Sequence, residues 1–311
     1  MNRWMHARAW SKRAVFLGAA AMLSSTASAE ILVTSQNTLH LGSGSSSVPG
    51  YLAGKNEFIR RLAIWPGSTL PRLTFLQEVM RTQDEDDIKP VGGEVIFGNL
   101  KGSTSYRERY GLVLVDVPAD HVAILCHVDT ASLVTAGTTL ERAPDATLVS
   151  DTSSGRPQLI WFLNFHAIFG SGTTPRRAEA AEVGRIVATL RGATPAGCPA
   201  TSQNVVVMGD WNLPGTDRAF TDLARNAGFT RLQVSPNALT SVSATGARVS
   251  AYDHFVWDDS LVQVTLATLP VQPFCNTTAT VASGVVNPAN LLTFRRHCSD
   301  HLGIVAQVRV R

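Results

Sequence analysis

Short apolar runs separated by polar, glycine-containing stretches dominate the chain. Ile31–Thr34, Leu73–Leu76, Gly111–Val117, Val122–Cys126, Leu159–Phe165, Val205–Met208 and Phe255–Trp257 read as strands. Several are bare apolar runs, which suits strands covered on both faces. Leu302–Val310 alternates instead, with Leu302, Ile304, Ala306, Val308 and Val310 on one side. Three segments carry helical spacing: Phe58, Ile59, Leu62 and Ala63, stopped by Pro66; Val183, Ile186, Val187 and Leu190; and Phe220, Leu223, Ala224 and Ala227, ended by Gly228. Thr174-Pro175 is expected to supply the N-cap and first-turn proline of the second. Gly42–Gly50, Thr82–Gly93, Thr130–Pro157, Gly192–Gln203 and Asn276–Asn290 read as loops. Strands outnumber helices and some follow one another directly. That predicts α+β sheets covered by helices, not a strict βαβ alternation.

The first residues stand apart from this pattern. Arg3, Arg8, Lys12 and Arg13 precede an apolar run, Ala14–Leu23, and then Ala27-Ser28-Ala29. This is the order of a signal peptide cleaved near Ala29, and the run is about half the length of a bilayer crossing. Residues 1–29 are therefore expected to be removed, leaving one domain, 30–311, secreted or periplasmic, monomeric and without stable membrane insertion. The charge picture changes with them: 27 basic and 24 acidic residues become 23 and 24, because four basic residues lie in the leader. A near-neutral protein has no global field that favours a polyanion. Cys126, Cys198, Cys275 and Cys298 all lie in the exported part, and an even count there predicts two disulfides in one of three connectivities. Cys275 with Cys298 closes the shortest loop and is the preferred pair. No CxxC spacing supports a metal site instead.

Residues suited to metal or phosphate chemistry recur where the strands end. Asn37 follows the first run, Glu78 ends Leu73-Thr74-Phe75-Leu76-Gln77-Glu78, and His166 ends Trp161–His166. Asp210 and Asn212 follow Val205–Gly209, Asp253 lies in Ala251-Tyr252-Asp253-His254, and Ser299-Asp300-His301 precedes the last strand. Taken singly, a carboxylate there is more often a loop cap. Six such positions in one chain make a set.

Gln77-Glu78, Asn164-x-His166, Gly209-Asp210-Trp211-Asn212, Tyr252-Asp253-His254 and Ser299-Asp300-His301 occur in the order of the endonuclease/exonuclease/phosphatase superfamily, which the chain resembles from about 31 to 310. Within it, Ser105–Tyr110 and Ser250–Asp253 resemble segments of the deoxyribonuclease I family. Arg156-Pro157 and Ala167 are similar to the B subunit of cytolethal distending toxin. The resemblance implies a four-layered α/β/β/α sandwich of two mixed sheets flanked by helices. It implies that Glu78 ligates a hard divalent cation, Mg²⁺ or Mn²⁺ and also Ca²⁺, with Asn37 and Asp300 completing its shell or that of a second ion. Asp210 and Asn212 would position the attacking water and the scissile phosphate. His166 and His301 would flank the phosphorus, one aiding water activation and the other the leaving oxygen. Glu108 would pair with the first histidine and Asp253 with the second. Tyr106 could pack on a sugar, and Arg107 or Arg142 could hold phosphates.

These assignments imply a metal-dependent phosphodiesterase with DNA as the leading substrate. Met80 stands where nuclease relatives often carry a basic contact, Gly303 where proline is usual, and Trp211 where phenylalanine is commoner. A phosphatase or phospholipase C acting on inositol phosphates or sphingomyelin is the alternative enzyme. A secreted binding domain that has lost activity is the alternative of another class, but no residue of the set is missing.

Overall fold

The computed structural model describes residues 30–43, 50–64, 70–102, 107–116, 121–138, 140–170, 172–235, 238–266, 271–273, 280–282 and 288–311. Here the apolar runs become strands: β1 (Ile31–Leu41), β2 (Arg72–Met80), β3 (Gly93–Phe97), β4 (Glu108–Val115), β5 (Val122–Asp129), β6 (Asp145–Asp151), β7 (Gln158–His166) and β8 (Val205–Asp210). Next come β9 (Leu232–Val234), β10 (Ser241–Val242), β11 (Arg248–Ser250), β12 (Asp253–Asp258), β13 (Val262–Leu266), β14 (Val271–Pro273), β15 (Thr280–Ala282) and β16 (Ile304–Val310). The helices are α1 (Tyr51–Ile64), α2 (Glu85–Ile88), α3 (Thr173–Gly192), α4 (Ala219–Ala227) and α5 (Pro288–His297).

Two six-stranded mixed sheets result, in the orders β13-β16-β1-β2-β4-β3 and β5-β6-β7-β8-β12-β9. Strand parity explains the bare apolar runs. On β7, Ile160 and Phe162 enter the core between the sheets, while Trp161, Leu163 and Phe165 point to the other side. On β8, Val206 and Met208 face inward and Val205 and Val207 outward. Outward residues meet Val183, Ile186, Val187 and Leu190 of α3 and Phe220 and Leu223 of α4. The first sheet is covered the same way, with Phe58, Ile59 and Leu62 of α1 and Phe294 of α5 packed beside Leu76 and Val113. The expected four-layered sandwich is therefore what forms. Each buried aliphatic or phenylalanine side chain contributes about 1.5–3 kcal/mol by leaving water. A polar bond ties the sheets near one end: Gln77 Nε2 donates to Asn164 Oδ1 at 2.6 Å, and Asn164 Nδ2 to the Leu76 carbonyl at 2.9 Å.

Several boundaries differ from expectation. The predicted loop Thr130–Pro157 contains β6, a central strand paired on both edges by β5 and β7. Its apolar residues, Ala146, Leu148 and Val149, are flanked by Asp145, Ser150 and Asp151, and pairing on both edges makes the segment a strand. The acidic loop Thr82–Gly93 holds the short α2, and the loop Asn276–Asn290 yields β15 and the start of α5. Helix α3 begins at Thr173 after Gly172, so Pro175 is its third residue, where the missing N–H still costs no helical bond. Gly228 ends α4 with φ 67°, as expected of a left-handed cap.

Cys126 on β5 bonds Cys198, across a separation of 72 residues. Cys298 is disulfide-bonded too, and the preferred partner, Cys275, lies outside the described residues, as do residues 1–29, the expected leader. Among the described residues no helix is long and apolar enough to cross a membrane.

Candidate active site

Strand register assembles the histidines and carboxylates. His166 at the end of β7 lies opposite Asp210 at the end of β8, and Asp210 lies opposite Asp253 at the start of β12. Facing this row from the other sheet, Asn37 of β1 is in register with Gln77, next to Glu78. The β1–β2 ladder is irregular there: Asn37 pairs Gln77 but Leu41 pairs Val79, so Thr38, Leu39 and His40 bulge opposite Glu78. The bulge also resets parity on β2, where Phe75 faces the inter-sheet core but Val79 the helix layer.

Backbone strain collects at the same place. Leu39, His40, Glu78 and Asn212 are the non-glycine residues with positive φ among those described, at 46°, 59°, 58° and 50°, and all four border one cleft of about 740 Å³. Each such conformation costs on the order of 1–3 kcal/mol, which surrounding structure must offset. Lys55, buried in α1, supplies part of that support: its ammonium donates to the Thr38 carbonyl at 2.8 Å and also to the Leu39 carbonyl. Gly209 (φ 140°) is required for a different reason, because a Cβ there would lie 1.8 Å from the Phe165 carbonyl oxygen.

Two histidine–carboxylate pairs face a shared carboxylate. His166 Nδ1 is 2.8 Å from Glu108 Oε1, and His301 Nδ1 is 2.8 Å from Asp253 Oδ2. This leaves both Nε2 atoms turned to Asp210 Oδ2, at 3.8 Å and 3.5 Å. Burial would lower the His166 pKa, but the Glu108 charge and hydrogen bond overcome it and raise it to about 9. Burial likewise opposes protonation of His301, and Asp253 and Asp210 raise it well above the ordinary value. In each pair the carboxylate therefore favours the imidazolium form of its ring. Burial raises the Asp210 pKa although both histidines oppose it, and Oδ1 is held by the Asn212 amide at 2.9 Å. Glu78 goes the other way: burial would raise it, but His166 and His40 together with the Asn37 amide hold it low.

A cation fits beside Glu78. Asn37 Nδ2 donates to Glu78 Oε1 at 2.9 Å and to Asp210 Oδ2 at 3.1 Å while its Oδ1 accepts the Leu39 N–H at 3.0 Å, so two carboxylates converge and the amide holds them together. Glu78 Oε2 is buried without a hydrogen bond and has only the His40 imidazole, at 3.2 Å. Such an oxygen-rich set suits a hard divalent ion. Glu108 with His166, and Asp253 with His301, are also close enough for ligation. In both pairs the ring nitrogen Nδ1 is taken up by the carboxylate, which leaves Nε2 facing the cleft.

The other expected residues fall as follows. Asp300 lines the cleft and is paired with Arg295 at 3.3 Å. Arg142, expected on a phosphate, is buried, and its guanidinium is taken up by the His166 and Ala167 carbonyls and by Glu108 at 3.3 Å. Its place is that of a strut behind the first histidine. Arg107 is exposed at the start of β4, and Tyr106 lies outside the described residues. Asn212 donates to the Ala167 carbonyl at 3.0 Å, which ties the loop after β8 to the loop after β7.

Sequence reasoning missed His40, Lys55 and Tyr110, whose hydroxyl accepts the His166 backbone N–H at 3.0 Å. Lys55 left a trace: it lies three and four residues before Phe58 and Ile59, on the apolar stripe of α1. His40 left none, since its role depends on the bulge.

No family-level sequence profile matches this chain, and no curated protein matches it either. Solved structures do resemble it. The human Nocturnin catalytic domain, solved with a bound sulfate anion, superposes with a TM-score of 0.58 at 17% identity, over 91% of this chain and 95% of that one. An endonuclease/exonuclease/phosphatase family protein from Bacteroides thetaiotaomicron gives 0.57 at 15% identity, over 90% and 98%. A mannosyl-6-phosphatase from the same species gives 0.55 at 15%, over 90% and 99%. The chain has the fold of the endonuclease/exonuclease/phosphatase proteins.

Proposed function

We propose that this protein is a divalent-metal-dependent phosphoesterase, exported and monomeric, whose leading substrate is the phosphodiester backbone of DNA, in the manner of deoxyribonuclease I. The observation that carries this reading is the pair of carboxylate-backed histidines turned toward Asp210, beside the Asn37–Glu78 cation site. Glu78 and Asn37 would hold Mg²⁺ or Mn²⁺, with Asp300 available to a second ion such as Ca²⁺. The cation supplies charge that offsets the negative charge developing on the phosphoryl oxygens.

The remaining chemistry belongs to the chain. Asp210 Oδ2, made more basic by burial, takes a proton from the water that attacks phosphorus. His166 and His301, both protonated, hydrogen-bond the phosphoryl oxygens, and one of them gives its proton to the leaving oxygen as the P–O bond breaks. Glu108 and Asp253 keep each ring charged and fix which nitrogen faces the cleft. Asn212 and Ala167 hold the floor on which the phosphate would rest.

Supercoiled plasmid incubated with Mg²⁺ plus Ca²⁺, or with EDTA, beside a His166→Ala control, tests this reading. Nicking that needs both the metal and His166 supports it. Folded protein that leaves both plasmid and single-stranded DNA intact refutes the DNA assignment. The mannosyl-6-phosphatase among the structural neighbours makes phosphomonoesters the next substrates to measure, followed by inositol phosphates and sphingomyelin.

A further inference from the structure

We infer that the cleft takes an unpaired nucleotide, whose base stacks on Phe169, and not the intact groove of a duplex. The inference rests on the phosphodiesterase reading and names its substrate form. Phe169 is 75% exposed, three residues past His166, and Val249 is 53% exposed on β11. Both are among the few large apolar side chains the described residues leave in water, and both line the cleft that holds the histidines. Tyr252 lines it too, one residue before Asp253.

Topology places the two aromatics on either side of the reaction centre. Strands β7 and β12 flank β8, and His166, Asp210 and Asp253 share one register row. Phe169 therefore follows the end of one flanking strand and Tyr252 precedes the start of the other, with Asp210 between them. A phosphodiester centred on Asp210 has a nucleoside on each side, next to an aromatic residue.

Charge argues against a duplex here. Following a duplex needs a stripe of lysine or arginine facing phosphates. The cleft's two arginines are already engaged, Arg142 by carbonyls and Glu108 and Arg295 by Asp300, and Glu141 adds negative charge to the wall. Affinity must then come from stacking, which every base offers through its face but only when it is out of a helix.

The test uses an oligonucleotide with one cleavable phosphodiester, its other linkages blocked as methylphosphonates. It is offered single-stranded, in a duplex, and single-stranded with an abasic residue on either side of the cleavable bond. The expected results are at least tenfold faster cleavage of the single strand and a five- to hundredfold loss of kcat/KM in Phe169→Ala, the range of base–aromatic stacking. Phe169→Trp should retain activity, and the variant and the wild type should cut one abasic substrate equally. Equal cleavage of duplex and single strand that still needs His166 would overturn the stacking inference and leave the phosphodiesterase reading intact. So would the same Phe169→Ala loss on both abasic substrates. If folded protein cuts neither form of DNA, the stacking inference and the DNA assignment fail together. Hydrolysis of sphingomyelin vesicles would then assign the exposed ring to a membrane contact.

Discussion

Replacing Glu108 by glutamine removes a charge from behind His166 while keeping its shape and an acceptor for the ring N–H. Glu108 holds Nδ1 at 2.8 Å and is the main influence raising that pKa from 6.5 to about 9 against burial. At about 1.4 kcal/mol per pH unit, that rise corresponds to about 3 kcal/mol of preference for the imidazolium. With the charge gone, burial and Arg142 push the other way, and the ring should titrate at about 7 or below. The sign for stability follows from linkage. A folded-state pKa above the unfolded value stabilises fully below pH 6.5, and that contribution is lost as pH rises through about 9. The wild type should therefore exceed Glu108→Gln by about 3 kcal/mol near pH 6, with the gap closing as the pH passes the folded-state value. Histidine NMR titration and denaturant unfolding in EDTA measure the two quantities, free of bound ion. In the activity assay at neutral pH, loss of the charged donor should lower kcat/KM by about 10²–10⁴. A His166 midpoint that stays near 9 in the variant, or a stability gap that does not change with pH, would refute the electrostatic reasoning.

Three further outcomes follow from other parts of the structure. Gly209→Ala would drive a Cβ to 1.8 Å from the Phe165 carbonyl oxygen, so it should lose about 3 kcal/mol or more in urea unfolding, or fail to fold. Removing both Cys126 and Cys198 reopens a 72-residue separation and should cost about 4 kcal/mol on the chain-entropy account, read as a lower denaturant midpoint than the oxidised wild type. Lys55→Met substitutes an apolar chain of similar length for a lysine whose pKa burial lowers to about 7, so the variant should stay folded. It withdraws the donor to the Thr38 and Leu39 carbonyls, and calorimetry should show Mn²⁺ binding weakened by about tenfold or more.

Apolar runs and their flanking polar residues are legible in the chain itself. β7, β8 and β12 and the apolar stripes of α1, α3 and α4 follow from hydrophobic spacing, because each run must be buried wherever it lies. The chemical residues are legible because they sit at strand ends: Glu78, His166, Asp210, Asp253 and His301 do meet at one end of the two sheets, four of them lining the cleft and Asp253 bonded to His301. Less visible are elements whose stability comes from neighbours. Strand β6 has a short apolar run set in a polar stretch, and β5 and β7 pair both of its edges.

Residue type and order, by themselves, determined which groups could do chemistry, since metal ligation and proton transfer need particular side chains. Tertiary structure decided what each group is free to do. Arg142 has the charge to hold a phosphate, yet its place behind Glu108 and the His166 carbonyl makes it a strut. His40 and Lys55 gain roles because a bulge in one strand turns three residues toward a carboxylate on the next. Burial and pairing, which depend on chain segments far apart in sequence, set the charge states of His166, His301 and Asp210. Local sequence cannot encode those distances, because an electrostatic interaction is fixed by separation in space and by the exclusion of water between the partners.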